Sequence, residues 1–356
     1  MQIAYFFIIL KNPLVTIIIP NFNGKKFLKT CLDSIFKQQF QNFCVIIVDN
    51  GSDDGSVEFI KAEYPTVFLI QFAYNKGFSA AINSGIRETD SQYICLLNND
   101  IELDPYFLNE IVAVLEAEKS VQYCAAKMLD YYHRDKMDGA GDGVFRAGAG
   151  YKRGSLDNDN GCYDRQLTVF GACAGAALYR RSFFNEVGFF DEDFFAYLED
   201  VDINLRANRL GLTCLYVPAA KVYHIGSATT GSVFNPFTVR LSTKNLFNVV
   251  VKNYPTILII KFLPSLILYH LFWFALVVSN KQSTSYFKGI LNAVSDFPRM
   301  WRKRKKTLML KSVSCQSLLL KISESEKEVM EMILRRSQRR KGRAVKLVEY
   351  YLRLFT

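Results

Sequence analysis

Two phosphate-binding signatures are missing from this sequence. No GxGxxG follows the first apolar strand and no GxxxxGK[ST] occurs anywhere, which argues against a dinucleotide-binding fold and a P-loop NTPase. Paired cysteines are missing as well. The eight cysteines are scattered singly, with no CxxC, so neither a disulfide framework nor a structural zinc is expected, and a reducing compartment is implied. Cys44, Cys95 and Cys124 sit inside apolar runs and read as small hydrophobes. No Ser–His–Asp or Cys–His set stands out to supply a nucleophile. The apolar run Ile3 to Leu10 has neither a basic leader nor a small-residue cleavage site, and reads as an extra strand or flap rather than a signal peptide.

What is present is a chain of 356 residues, half of them hydrophobic, enough for one large domain and an appendage. Its organising stretch is Tyr93 to Glu102, YICLLNNDIE. Five apolar or aromatic residues predict a strand buried on both faces, ending abruptly at Asn98, Asn99 and Asp100. Similar units precede it. Val15 to Pro20 is a strand followed by Asn21-Phe22-Asn23-Gly24 and a helix from about Lys25 to Gln38. Cys44 to Val48 ends in Asp49-Asn50-Gly51-Ser52, and Asp54 is placed to cap the helix that runs on to Glu63. Val67 to Phe72 precedes Asn75-Lys76-Gly77 and a further helix.

Strand, turn and helix repeating four times predict an α/β fold with a mostly parallel sheet flanked by helices. Right-handed crossovers bring the carboxyl ends of those strands to one edge. Asn21, Asn23, Asp49, Asn75 and Asp100 should therefore line one crevice. There Asp49 can accept from the imide of a pyrimidine base, asparagines can meet base and ribose, and Asp100 can hold a divalent metal on a diphosphate. Taken singly, each of these residues is explained by turn formation alone; it is their convergence that points to a ligand.

The second half is less regular. Tyr132 to Gly161 predicts loops or hairpins reaching over the crevice, and Phe170 to Leu178 is dense in small residues where backbone can approach a ligand. A helix is expected from about Glu199 to Gly211, with Glu199, Asp200 and Asp202 favoured in its first turn by the dipole. Strands are expected at Thr213 to Val217 and Lys221 to His224.

Taken together, Pro20-Asn21-Phe22-Asn23, Asp49-Asn50-Gly51-Ser52, Asn75-Lys76-Gly77, Asn98-Asn99-Asp100, Gly171-Ala172-Cys173, Gly188-Phe189-Phe190-Asp191-Glu192, Glu199-Asp200-Val201-Asp202 and His224 resemble the inverting glycosyltransferases of family 2. The nearest branch is the rhamnosyltransferase-like one, and the resemblance runs from about Leu14 to Pro298. It implies a GT-A-type fold, a nucleotide-diphosphate sugar donor and Mg²⁺ or Mn²⁺. Carried over by motif, Pro20, Asn21, Asn23, Asp49, Asn75, Gly77, Asn98 and Asn99 would surround the nucleotide sugar. Asp100 and His224 would hold the metal, and Gly171, Ala172, Cys173 and Glu199 would meet the acceptor. Asp200 would be the general base. Asn98 departs from the family, where many relatives carry an acid, and fewer negative charges imply weaker metal binding.

The domain boundaries expected are an apolar extension over 1–13, the transferase domain over 14–253 (nucleotide half 14–104, acceptor half 105–253), apolar helices with a basic cluster over 254–311, and a basic amphipathic tail over 312–356. The charge is uneven: from Lys281 to the end there are 19 Lys or Arg against 6 Asp or Glu, more than the whole net charge of +10. Pro255 to Val278 approaches bilayer-spanning length, with Phe262, Trp273 and Phe274 as aromatic anchors, but Lys261, Pro264 and His270 interrupt it. With Arg302-Lys303-Arg304-Lys305-Lys306 beyond it, the expectation is one or two helices lying partly in an anionic membrane surface, not a nucleic-acid site. That places the protein in the cytoplasm, peripheral or monotopic on the inner face of the cell membrane, with a lipid-linked or glycan acceptor. Two rivals stand beside this: a sugar-1-phosphate nucleotidyltransferase, which needs a glycine-rich basic loop after the first strand, and a non-catalytic basic nucleic-acid- or lipid-binding scaffold.

Overall fold

The computed structural model describes residues 13–226, 234–309 and 313–339. The N-terminal apolar run from Ile3 to Leu10, and the basic stretch from Arg340 onward, lie outside the described residues. The chain opens with β1 (Val15–Asn21), α1 (Lys25–Phe36), β2 (Phe43–Asp49), α2 (Ser56–Glu63), β3 (Phe68–Gln71), α3 (Phe78–Arg87) and β4 (Tyr93–Leu97). It continues through β5 (Ile101–Leu103), α4 (Phe107–Ala117), β6 (Val121–Asp130), β7 (Met137–Ala140), β8 (Asp142–Val144), β9 (Gly150–Lys152), β10 (Leu167–Val169) and β11 (Ala176–Arg180). Then come α5 (Arg181–Val187), a 3₁₀ turn at Glu192–Phe194, α6 (Glu199–Arg209) and β12 (Thr213–His224). Four longer helices close the chain: α7 (Pro236–Asn253), α8 (Thr256–Ser279), α9 (Ser283–Met309) and α10 (Cys315–Arg339).

The main sheet has the order β3–β2–β1–β4–β11–β6–β12–β10. Its first four strands are parallel, and β11 is inserted antiparallel between β4 and β6. Every residue of β4 is buried, as its unbroken apolar run predicts for a strand covered on both faces. The apolar residues of the sheet divide between two cores, one under α1 and α4 and one under α3, α5 and α6. Register does the rest. Asn21 pairs with Asp49 and Asp49 with Gln71, so the polar strand ends finish level at one edge.

Three local outcomes refine the sequence reading. Asp54 does not cap the helix it precedes in the usual way; its Oδ1 accepts from Ser56 N at 3.0 Å and its Oδ2 from Lys25 N at 2.8 Å, so it joins the starts of α1 and α2. The two strands expected over 213–224 are one, β12, with a register slip between Val217 and Lys221. Pro218 sits in that slip, where its missing N–H is harmless to the ladder. Helix α8 runs unbroken through Pro264, and its Phe262 is buried against a third core with Val249, Tyr254 and Leu258 instead of facing outward. Helix α10 lies over the β8–β9 hairpin, where Ser325 Oγ accepts from Val144 N at 2.8 Å and Glu326 from Arg146 N at 3.0 Å.

Candidate active site

The polar edge of the sheet is a chain of side-chain hydrogen bonds across the ends of β1, β2 and β4. Asn99 Nδ2 donates to Asn21 Oδ1 at 2.7 Å, and Asn21 Nδ2 donates to Asp49 Oδ2 at 2.9 Å. Asp49 Oδ1 accepts from Ser52 N at 3.0 Å. Asn21 and Asp49 are both buried, so Asn21 fixes the carboxylate, and each Asp49 oxygen keeps a lone pair for a ligand. One strand further, Asn50 ties Asn75 to the same edge, donating to Asn75 Oδ1 at 2.9 Å and to the Gly77 carbonyl at 3.1 Å. Asn23 is exposed beside them with its Oδ1 accepting from Asp53 N at 2.9 Å. Half-buried Pro20 ends β1 just before Asn21, and Asn98 is half-buried over Gly175, whose carbonyl its N–H reaches at 2.8 Å. The structure thus gathers all eight residues expected around the nucleotide sugar at or beside one edge.

Asp100 and His224 also meet. Asp100 directly follows this edge, and β12 ends at His224 beside β5, its register partner being Ile101. His224 Nε2 lies 3.5 Å from Asp100 Oδ1. That carboxylate oxygen is buried and, apart from this ion-pair contact with the His224 ring, has no hydrogen-bond partner among the described residues, so it keeps lone pairs for a ligand. The other ring nitrogen, Nδ1, is 3.0 Å from Asp138 Oδ2, and Lys152 Nζ reaches the same oxygen at 2.7 Å. Burial works against a proton on His224, but the carboxylates of Asp100 and Asp138 outweigh it and push the pKa up to about 9. Although burial opposes it, His224 and Lys152 hold Asp138 well below the usual carboxylate range. An oxygen and an imidazole nitrogen at this separation, with a carboxylate orienting the ring from behind, suit a divalent cation that would displace the proton from Nε2.

Asp200 stands in the first turn of α6, half-buried. Its carboxylate, that of Asp142 and the Cys173 thiol lie within 4.8 Å of one another. Burial raises the pKa of Asp200 and drives that of Asp142 well above the ordinary carboxyl value, with the charge of Asp200 adding to the latter. Burial also pushes the Cys173 thiol up, so it is a neutral wall and not a thiolate. Lys152 connects the two groups: bonded to Asp138, it also acts electrostatically on Asp142 and Asp200. Beneath them Asn204, buried on α6, holds the loop through Ala172, whose carbonyl accepts at 3.0 Å. Only glycine fits at 171, since a Cβ there would lie 2.1 Å from Asn204. Glu199 is buried behind Asp200, with Oε2 lacking a hydrogen-bond partner among the described residues, and burial and then Asp200 push its pKa up to about 8.

Asp138, Asp142, Lys152 and Asn204 were not singled out in the sequence. The first three belong to the 132–161 stretch, which the sequence marked as loops or hairpins rich in Gly, Asp and Arg without singling out these side chains. For Asn204 the signal was available: with Asn208 it is a polar residue repeated at helical spacing on an otherwise inward face.

The edge, the Asp100–His224 pair and the carboxylate at the start of α6 define an α/β domain of the GT-A architecture. Its likeness to the crystal structure of GalNAc-T7 with UDP, GalNAc and Mn²⁺ has a TM-score of 0.62 at 15% identity, covering 88% of this chain and 57% of that one. Residues 16–188 match the sequence model of Glycosyl transferase family 2, and over these residues the chain carries a family 2 glycosyltransferase domain. It is 28% identical over 214 residues to the N-acetylglucosaminyl-diphospho-decaprenol L-rhamnosyltransferase of Mycobacterium tuberculosis (52% of this chain, 68% of the relative). It is also 28% identical over 237 residues to the uncharacterized protein y4gI of Sinorhizobium fredii, covering 63% of this chain but 26% of that protein. The match therefore spans about a quarter of one relative's length and about two thirds of the other's.

Proposed function

We propose that the protein is an inverting glycosyltransferase that moves a sugar, rhamnose from a dTDP donor, to a hydroxyl of a lipid-linked or surface-glycan acceptor. The observation that carries this reading is the buried Asp100 oxygen paired with His224 at the edge where the asparagines and Asp49 converge. The relative from Mycobacterium supports the choice of rhamnose and of a diphosphate-linked lipid.

In this reading Asp49 accepts from the base, and Asn23, Asn75 and Asn98 meet the ribose and phosphates. Asp100 and His224 hold Mg²⁺ or Mn²⁺, which when bound neutralises charge on the diphosphate. The acceptor lies over Gly171, Ala172 and Cys173. Its hydroxyl oxygen forms the new bond to the sugar's C1 as the bond from C1 to the phosphate oxygen breaks, and Asp200 takes the hydroxyl proton. Attack from the opposite face inverts C1, and no enzyme nucleophile is needed. The raised pKa of Asp200 makes it the stronger base. The apolar and basic helices α8 and α9 support a position for this chemistry on the inner face of an anionic membrane.

Thermal unfolding with UDP-, dTDP- and GDP-sugars, with and without Mn²⁺, tests the donor half. A ligand at a hundred times its dissociation constant adds about 2.7 kcal/mol, and the expected result is a Mn²⁺-enhanced shift with dTDP-rhamnose. Absence of a shift with every nucleotide would overturn the transferase reading. Asp200→Asn tests the base: turnover should fall by about 10²–10⁴ with donor binding retained.

A further inference from the structure

The segment 191–198 joins the donor edge to the base, and bulky residues in it adopt backbone conformations they normally avoid. Phe195 has φ 66° and ψ −67°, and Ala196 N–H donates to the Phe194 carbonyl at 2.8 Å. This is a γ-turn of the rare, strained hand. Tyr197 and Leu198 follow with φ 68° and 65°. Such residues persist only where their surroundings over-determine them, and they concentrate at functional sites.

Both ends of the segment touch the crevice. The Phe195 carbonyl accepts from Ser79 N at 3.3 Å at the start of α3, and it would lie 2.6 Å from a Cβ at Gly77, which accounts for glycine there. At the other end the Leu198 carbonyl accepts from Asp202 N at 3.0 Å. That bond opens α6, so the backbone of Leu198 sets the direction in which Asp200 leaves the helix.

The outer side of the segment is gathered by one side chain. Asn245, on α7 and fully buried, places Nδ2 3.0 Å from the Phe194 carbonyl, 3.0 Å from that of Ala196 and 2.7 Å from that of Tyr197. Its neighbour Lys244 donates to the Asp193 carbonyl at 2.6 Å. Helix α9 reaches the same segment, with Lys303 Nζ 2.7 Å from Asp193 Oδ2 and Arg299 Nε 3.4 Å from it.

We propose that Asn245 is a positioning residue for the reaction: by sharing its two amide hydrogens among three carbonyls of the strained segment, it holds α6 in the orientation that presents Asp200 to the acceptor. The proposal rests on Asp200 being the base. It ties α7 to the catalytic step without placing any of its residues in contact with substrate.

Asn245→Leu removes the donors at similar volume. Nucleoside diphosphate release from the donor selected by the nucleotide panel should fall by about tenfold or more in kcat, with the donor KM within about twofold. Amide hydrogen exchange over 194–202 should accelerate while that of β1 and β4 does not. Adding Leu198→Gly, which adopts this φ freely, should recover most of the lost kcat; the split between kcat and KM and the confinement of faster exchange to 194–202 are what a general loss of fold would not give. Unchanged kcat, a loss confined to KM, unchanged exchange or absence of rescue each overturn the proposal. Should Asn245→Leu not fold, Asn245→Ser is judged by the same measurements. Near-normal turnover of Asp200→Asn would overturn the base reading itself, whereas an inactive Asp200→Asn beside a fully active Asn245→Leu would overturn the positioning role alone.

Discussion

His224 shows how little of a residue's role is carried by its identity. Alone in an apolar stretch, it reads equally as a packed core histidine. What distinguishes it is a carboxylate on each ring nitrogen, Asp100 at 3.5 Å and Asp138 at 3.0 Å. Asp138 fixes which nitrogen faces the crevice, and Lys152 fixes Asp138. Carboxylates behind a ligating imidazole raise metal affinity by about 10–100-fold. Asp138→Ala should therefore weaken Mn²⁺ binding by roughly that factor while leaving metal-free nucleotide binding at the Asn21–Asp49 edge intact. Titration with Mn²⁺ followed by electron paramagnetic resonance checks this, and an unchanged affinity would remove His224 from the metal site.

Among the elements, α6 depends on a charge it buries completely. Asp202 is fully buried and meets Arg206 Nη2 and Lys252 Nζ at 2.8 Å each, with Asn253 Nδ2 donating at 2.9 Å. Removing one partner of such a network strands the cations, at a cost of about 3–5 kcal/mol. Asp202→Ala should lose that much stability in urea unfolding at pH 7. Burial alone would raise the Asp202 pKa, but Arg206 and Lys252 outweigh it and lower it. Its contribution is therefore present above the unfolded pKa of about 3.9 and is lost as the pH falls through the lower folded value. The variant's deficit should shrink toward zero in strong acid. Glu199, three residues earlier and pushed up to about 8, runs the other way. Its neutral form suits the fold, and stability declines as the pH climbs from about 4.3 toward that value.

The same helix shows what was legible in the sequence. The parallel units β1 to β4, and the convergence of Asn21, Asp49, Asn75 and Asp100, followed from apolar runs and turn residues, because each signal is local and the crossover rule does the rest. The start of α6 at Glu199 was legible for the same reason. Arg206 is a local partner of Asp202, four residues on, but Lys252 and Asn253 were not legible, since they lie some fifty residues further on. A hairpin was among the forms expected over Tyr132 to Gly161, but the roles of Asp142 and Lys152 on it were not legible: its strands of three residues have no periodicity to read, and α10, far along the chain, holds it. The strain at Phe195, Tyr197 and Leu198 was equally hidden, because nothing in those side chains asks for positive φ. It is imposed from α7.

At the scale of the whole molecule, the unexplained feature is an apolar surface that the domain leaves uncovered. On α9, Phe287, Leu291, Val294 and Trp301 are 55%, 67%, 66% and 43% exposed, and their spacing puts them on one face. Ile260, Leu263, Ile267 and Leu271 form a similar exposed row on α8. Such contiguous apolar rows are uncommon on a protein surrounded only by water. Arg302, Lys305 and Lys306 are exposed at the end of the α9 stripe, the composition of a helix lying in an anionic interface. Length and composition would let α8 cross a bilayer, but its inner face, with Leu258, Phe262 and Leu266 buried, is committed to the domain. We therefore expect the protein to lie on the membrane. It should co-sediment with vesicles containing phosphatidylglycerol and largely fail to do so with pure phosphatidylcholine, and salt should weaken the binding. Each basic residue near such a surface is worth about 1 kcal/mol, so Lys305→Glu with Lys306→Glu should reduce binding by at least about thirtyfold. Leu291→Asp with Val294→Asp should also reduce binding to the phosphatidylglycerol vesicles, and that loss should persist at high salt, because the apolar stripe acts independently of charge. If vesicles were ignored at every composition while the apolar variants changed the oligomeric state in solution, the surface would belong to another protein chain instead.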